Sequence, residues 1–274
     1  MLPQLKLDTT ATADHLIDFI RSEFRDAGFT KAVIGLSGGV DSALSTVLAA
    51  RAIGADNVLC LMMPHTESNP DSLAHAKLLV EELGVRYDVI DITPMVDVTI
   101  STDPEMDLLR RGNIMARQRM ILLYDRSSRE HALVVGTGNK TELLLGYSTL
   151  YGDAACAIDP LGDLYKTQVW QLAADLGVPD VIVRKAPSAD LWAGQTDEGE
   201  LGFTYRSVDE VLVHLVDERR DDEALRALGF EQDFLSAVRE MIRRNRFKRM
   251  LPRVPRIGSR PVNADVHFPR EWGV

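Results

Sequence analysis

Four short apolar segments recur between longer amphipathic ones, and this alternation restricts the chain more than any other feature. KAVIGL (31–36), NVLCLMM (57–63), RYDVIDI (86–92) and HALVVGT (131–137) read as strands. DTTATADHLIDFIRSEFRDAGF carries Leu16, Ile17, Ile20 and Phe24 at helical spacing, with Asp and Thr at its start, and reads as a helix. Further helices are expected from about Val40 to Ile53, over NPDSLAHAKLLVEELG with Pro70 near its first turn and Gly84 at its end, and across about 105–128. Strands with continuous apolar cores alternating with helices specify a parallel sheet covered on both faces. The expected fold class is α/β and Rossmann-like.

Beyond Gly138 the pattern changes. NKTELLLG and YKTQVWQLAADLG look helical, as do SVDEVLVHLVDE and QDFLSAVREMIRRNRFKRM near the end. Between them, APSADLWAGQTDEGELGFT is rich in turn formers and short of periodicity. It exceeds the usual connection, and loops of that size are often lids or binding segments. A Pro- and Arg-containing irregular tail closes the chain. Without an internal repeat or a linker, residues 1–274 read as one domain.

A chain of 274 residues is ample for a large core, and 45% hydrophobic with 26% charged residues excludes a disordered composition. Its 31 basic and 41 acidic residues leave a net charge of −10, which disfavours nucleic acid and anionic membranes as partners. Cys60 and Cys156 stand far apart with no CxxC, against a disulfide framework or structural zinc and in favour of a reducing compartment. The N-terminus lacks a charged-then-apolar signal pattern, no run reaches the ~18 apolar residues of a membrane span, and FPREWGV carries no lipidation box. A cytoplasmic location is the expectation.

The first strand runs directly into GLSGGVDSA (35–43) and then into a helix. In a parallel sheet, ligands bind at the carboxyl ends of strands, beside the next helix's N-terminus, where free N–H groups and the helix dipole favour anions. Gly38 and Gly39 permit a tight turn and keep side chains away from a phosphate, while Ser37 and Ser42 add hydroxyl donors. Asp41 would repel phosphates unless a cation lay between, and magnesium accepts one or two carboxylates together with phosphate oxygens. Neither GxxxxGK[ST] nor GxGxxG is present.

LSGGVDS resembles the SGGxDS signature of the ATP-pyrophosphatase (PP-loop) group, whose members adenylate a substrate, release pyrophosphate and share the adenine-nucleotide alpha hydrolase-like fold. VVGTGNKTELLLGYSTLYGDAACAIDPLGDLYKTQVWQLAADLGVP (134–179) and RKAPSADLWAGQTDEGELG (184–202) resemble the NAD synthetase family, a likeness running from about residue 12 to 250. The resemblance implies conversion of deamido-NAD, ATP and ammonia to NAD, AMP and pyrophosphate, with Mg2+. It assigns ATP to Gly35, Leu36, Ser37, Gly38, Gly39, Val40, Asp41, Ser42, Thr137, Lys166 and Ser188, and the metal to Asp41 and Glu142. Arg117, Lys248 and Phe247 fall at positions that contact deamido-NAD, and Asp153 and Glu200 at positions that handle ammonia or its proton. Ammonium must lose that proton before it can attack. A homodimer is implied as well.

Three positions depart from the ammonia-dependent pattern. Leu150 and Phe247 replace a lysine and a histidine, and Ala157 replaces an aspartate, with Asp159 two residues on. GYSTLYGD resembles the synthetase part of glutamine-dependent enzymes, but the motif begins at residue 35 and leaves no room before it for their amidase domain. Free ammonia is the expected donor, a separate amidase subunit the other source. Two rivals stay open: a different PP-loop adenylating enzyme, whether an amidotransferase or ligase acting on another carboxylate or a tRNA thiolase, and a non-catalytic nucleotide-binding module of the same fold.

Overall fold

The computed structural model describes residues 2–250 except Ala193, together with Pro255 and Ile257; the proline- and arginine-containing tail lies otherwise outside the described residues. Four parallel strands, β1 (Ala32–Gly35), β2 (Val58–Met62), β3 (Arg86–Val89) and β4 (Leu133–Val135), form one sheet in the order β3-β2-β1-β4. The apolar runs impose this arrangement because each central strand must bury both faces. Ala32 and Ile34 of β1, with Val58, Cys60 and Met62 of β2, pack into one core; Val33, Leu59 and Leu61 point into another.

The first face is covered by α1 (Thr9–Ala27), α2 (Val40–Ile53) and α3 (Pro70–Leu83). On the second lie α4 (Thr93–Ile100) and α5 (Leu108–Glu130), through Val96 and Met115. Asp8 caps α1 by accepting from Ala11 N, as Asp and Thr at its start predict, and Gly28 ends it with φ +74°.

The remaining helices are α6 (Lys140–Leu145), α7 (Lys166–Asp175), α8 (Asp180–Val183), α9 (Asp197–Leu201), α10 (Tyr205–Leu212), α11 (Asp222–Ala227) and α12 (Gln232–Arg244). α7 and α8 complete the first core through Val169, Leu172 and Ile182. A third apolar cluster joins Leu5, Leu145, Tyr205, Val208, Leu212, Leu235 and Val238, binding α6, α10 and α12 to the N-terminal turn.

Several boundaries differ from the sequence reading. The third strand stops at Val89 instead of residue 92 and is an exposed edge: it pairs with β2 on one side only, and Tyr87 and Val89 face solvent. α9 forms inside the irregular stretch 186–204, because Thr196 accepts from Gly199 N and Gly202 stops it. α10 continues as a π-type turn over Val213–Asp217, and α12 ends at Arg244 before a 3-10 turn, Arg246–Arg249. Short helices α4, α8 and α11 were not anticipated.

After β1, the chain adds β2 and β3 on one side and returns to place β4 on the other. The strand order therefore reverses between β1 and β4, where α/β sheets open a crevice at their carboxyl ends. The glycine–serine turn follows β1, and Thr137 follows β4.

Candidate active site

The turn after β1 is built by its own serines. Ser37 N donates to Ser42 Oγ at 3.2 Å, the two hydroxyls lie 3.0 Å apart, and Ser42 Oγ donates to Gly39 O at 3.0 Å. Gly39 is the N-cap of α2 and supplies no side chain to the helix's first N–H groups, which an anion can then occupy. Gly38 has φ +79°, and a Cβ there would lie 2.1 Å from Ser72 O. The turn thus requires glycine both for its left-handed backbone and for its approach to α3.

Asp41, in the first turn of α2, meets two elements from the far side of the crevice. Asn139 Nδ2 donates to its Oδ1 at 2.9 Å, and Lys166 Nζ pairs with its Oδ2 at 2.5 Å. Glu142 receives the same ammonium at 3.2 Å. The sequence NKTE fixes this locally through a capping box: Asn139 Oδ1 accepts from Glu142 N, and Glu142 Oε2 accepts from Asn139 N. Lys166, the first residue of α7, has a side chain only 3% exposed. Burial pulls its pKa down, but Asp41 and Glu142 more than offset this and hold it charged. Burial also pushes the Glu142 carboxyl above its usual range, with Lys166 opposing the shift and Asp41 adding to it.

Asp41, Glu142 and Lys166 line a cavity of about 630 Å³ that extends past Thr137 and Ser188 to Asp153, Glu200 and Lys248. One wall is the N-terminus of α3, which Asp190 ties to the irregular stretch by accepting from Asn69 N (2.9 Å) and Ser72 Oγ (2.8 Å). Lys185 Nζ donates to the same Ser72 hydroxyl at 2.7 Å. At the other end, Asp153 accepts from Thr149 N at 2.8 Å, and Lys248 Nζ donates to the carbonyls of Gly146 and Ser148. Tyr147 OH donates to Glu200 at 2.6 Å and approaches the buried Asp197 at 3.2 Å. An anion-binding turn, an ammonium between two carboxylates and a second polar end in one crevice suit the transfer of a phosphorylated group to a second substrate.

The sequence model of the NAD synthase family matches residues 12–252. The chain belongs to this family. An NH(3)-dependent NAD(+) synthetase from Trichlorobacter lovleyi is 51% identical over 272 residues, 99% of this chain and 100% of the relative. Among solved structures, an NMN synthetase from Francisella tularensis superposes with TM-score 0.82 at 32% identity, covering 91% of this chain and 99% of that one. An NH3-dependent NAD synthetase from Campylobacter jejuni, in complex with the nitrate ion, gives 0.78 at 35%, covering 91% and 100%. The parallel sheet with helices on both faces is thus the fold expected from the sequence.

Within the family frame, most of the residues singled out by sequence converge. Gly35, Leu36, Ser37, Gly39, Val40, Asp41, Ser42, Thr137, Glu142, Asp153, Lys166, Ser188, Glu200 and Lys248 all line the cavity. Gly38 stands behind the turn against α3. Arg117 and Phe247 lie outside: the Arg117 guanidinium donates to Leu150 O from the exposed side of α5, and Phe247 is exposed. Sequence reading passed over Asn139, whose cap position before an i+3 glutamate was a legible signal. It also passed over Arg119, which lines the cavity with Nε on Met63 O at 3.0 Å. Asp197 and Asp190 were missed too, and nothing in their residue type or spacing marks them.

Proposed function

We infer that this chain amidates deamido-NAD to NAD, consuming ATP and ammonia and releasing AMP and pyrophosphate. The nicotinate carboxylate attacks the α-phosphorus of ATP, pyrophosphate departs, and ammonia displaces AMP from the acyl-adenylate. The observation that carries this reading is the single crevice joining the glycine–serine turn and Lys166 to Asp153 and Glu200. Amides of the turn, with the Ser37 and Ser42 hydroxyls, receive the departing pyrophosphate. Lys166 and Ser188 hold the nucleotide, and Lys248 lies on the dinucleotide side. Asp153 or Glu200 takes the proton that ammonium must lose. The protein mostly positions reactants and balances charge.

Asp41 and Glu142 fit a magnesium ion. Among the described residues no group of three or more His, Cys, Asp or Glu forms a cage unaided, so triphosphate oxygens would complete the shell, as this cation prefers. When bound, it would neutralise phosphate charge as the α-phosphorus is attacked.

A homodimer accords with α5, which presents Leu108, Leu109, Ile121 and Tyr124 to solvent. Pairing through this helix would bring Arg117 to a dinucleotide at the interface. No helix among the described residues is long and apolar enough to cross a membrane, in keeping with the cytoplasmic reading. Residues 1–274 are read as one domain, and residues 189–203 as a lid over the acyl-adenylate.

The test is product analysis with ATP, magnesium and either deamido-NAD or nicotinate mononucleotide, supplied with ammonium or glutamine. NAD with matched AMP and pyrophosphate from ammonium alone is expected. The mononucleotide arm is included because the Francisella neighbour bears the name NMN synthetase. ATP consumption with the mononucleotide but not with deamido-NAD would overturn the substrate and leave the chemistry.

A further inference from the structure

All four carboxylate oxygens at the crevice mouth are already taken. Asp41 Oδ1 accepts from Asn139 Nδ2 and Oδ2 from Lys166 Nζ; Glu142 Oε1 accepts from Lys166 Nζ and Oε2 from Asn139 N. A magnesium ion needs carboxylate oxygens at about 2.0–2.1 Å, and an ammonium bridging the same oxygens repels it. A metal that takes Asp41 Oδ2 and Glu142 Oε1 together therefore requires Nζ to move.

The backbone of Lys166 is fixed, because its N–H donates to Thr141 Oγ1 at 3.0 Å. Its four-carbon stem is buried, with Nζ 5.0 Å from the centre of the Tyr205 ring, but the residue lines the same cavity as the glycine turn, and a change of rotamer toward that turn needs no backbone shift. The reactant able to draw the ammonium in that direction is a polyphosphate, whose charge exceeds that of the two carboxylates.

We propose that Lys166 is an exchangeable counter-cation that closes the metal site until a polyphosphate draws its ammonium away, so that metal entry depends on the nucleotide. This rests on Asp41 and Glu142 being the magnesium ligands. It makes Lys166 the element that orders binding, in addition to its contact with ATP.

The probe is Mn2+, followed by loss of the free-ion signal in electron paramagnetic resonance, which needs no turnover. Wild-type protein should bind Mn2+ weakly alone and, once the Mn2+ held by the same ATP without protein is subtracted, at least about tenfold more tightly with ATP, a difference of about 1.4 kcal/mol. Lys166→Met should bind it tightly without nucleotide, and adding Asp41→Asn to that variant should release it. Lys166→Gln retains a hydrogen-bond donor and stands in should the methionine variant fail to fold. Mn2+ binding to wild type alone as tight as with ATP would overturn the counter-cation role and leave the ligand assignment standing. No Mn2+ held by any form, beyond what the Asp41→Asn variant holds with ATP, would overturn both.

Discussion

Asp209 on α10 grips Thr167 on α7 twice, accepting from its backbone N at 2.9 Å and from its Oγ1 at 2.8 Å. The other carboxylate oxygen accepts from Thr141 Oγ1 of α6 at 2.6 Å. One fully buried side chain thereby sets the helix that carries Lys166 against the helix that carries Glu142. Asp209 stands behind the reactive groups, off the cavity wall.

Asp209→Ala leaves three donors without an acceptor in a region closed to water. Each unsatisfied group costs about 1–3 kcal/mol, so a loss of about 3 kcal/mol or more in unfolding free energy is expected. Asp209→Asn, which keeps one acceptor oxygen, should lose less. Urea unfolding midpoints measure this directly. Activity at saturating ATP should also fall in both variants, through misplacement of Lys166, and an unchanged midpoint for the alanine variant would refute the role.

The glycine pair divides into two unequal members. At Gly38 an alanine meets Ser72 O at 2.1 Å and must hold φ +79°, which alone costs about 1–2 kcal/mol. Gly39 has φ −93°, and its nearest obstacle is Ser37 Oγ at 3.4 Å, ordinary contact distance. Gly38→Ala should therefore lower the unfolding midpoint and raise KM for ATP by displacing α3. Gly39→Ala should fold as wild type and affect ATP binding alone. Thermal unfolding of the two variants side by side separates them.

The sheet and the turn were legible because their signals are local: apolar runs the length of a strand, glycines at a strand end, a terminal glycine on a helix. Polar residues whose meaning is tertiary were not. Asp209, Asp197 and Asp190 find their partners in other elements, and a lone aspartate in sequence does not say which donor it meets. Arg117 and Arg119 show the limit well. They stand two residues apart on α5, roughly 200° around the helix, so one guanidinium turns outward and the other lines the cavity. The family resemblance pointed to Arg117, and only packing distinguishes the two faces. The third strand reads too long because Ile90 and Ile92 still donate to Met62 O and Pro64 O, while β2 itself ends at Met62.

Tyr147 holds Glu200. Its hydroxyl lies 2.6 Å from Glu200 and 3.2 Å from Asp197, and Gln195 Nε2 holds the other Glu200 oxygen at 2.9 Å. Tyr147→Phe removes the donor and leaves the ring. If Glu200 receives the ammonium proton, kcat should fall roughly tenfold, equivalent to about 1.4 kcal/mol. KM for ammonium should rise while KM for ATP holds. Equal changes in both Michaelis constants would instead mark Tyr147 as general support for the cavity wall.

Asp159 gives a pH-dependent stability with a defined sign. Its Oδ1 is buried without a partner among the described residues, close against Gly136, while its Oδ2 faces Gly138. Burial, and then repulsion from Asp41, push its carboxyl up to about 7. A raised value means the folded chain holds the proton more tightly than the unfolded one. The stabilisation is complete below pH 3.8 and is lost as pH rises to about 7. Asp159→Asn mimics the protonated acid at every pH. It should match wild type near pH 4 and exceed it at pH 8 by about 2 kcal/mol, part of the ideal shift being screened by solvent contact. Denaturation at the two pH values measures the difference, and a wild-type protein more stable than the variant at pH 8 would show that Asp159 is held ionised by a partner it needs.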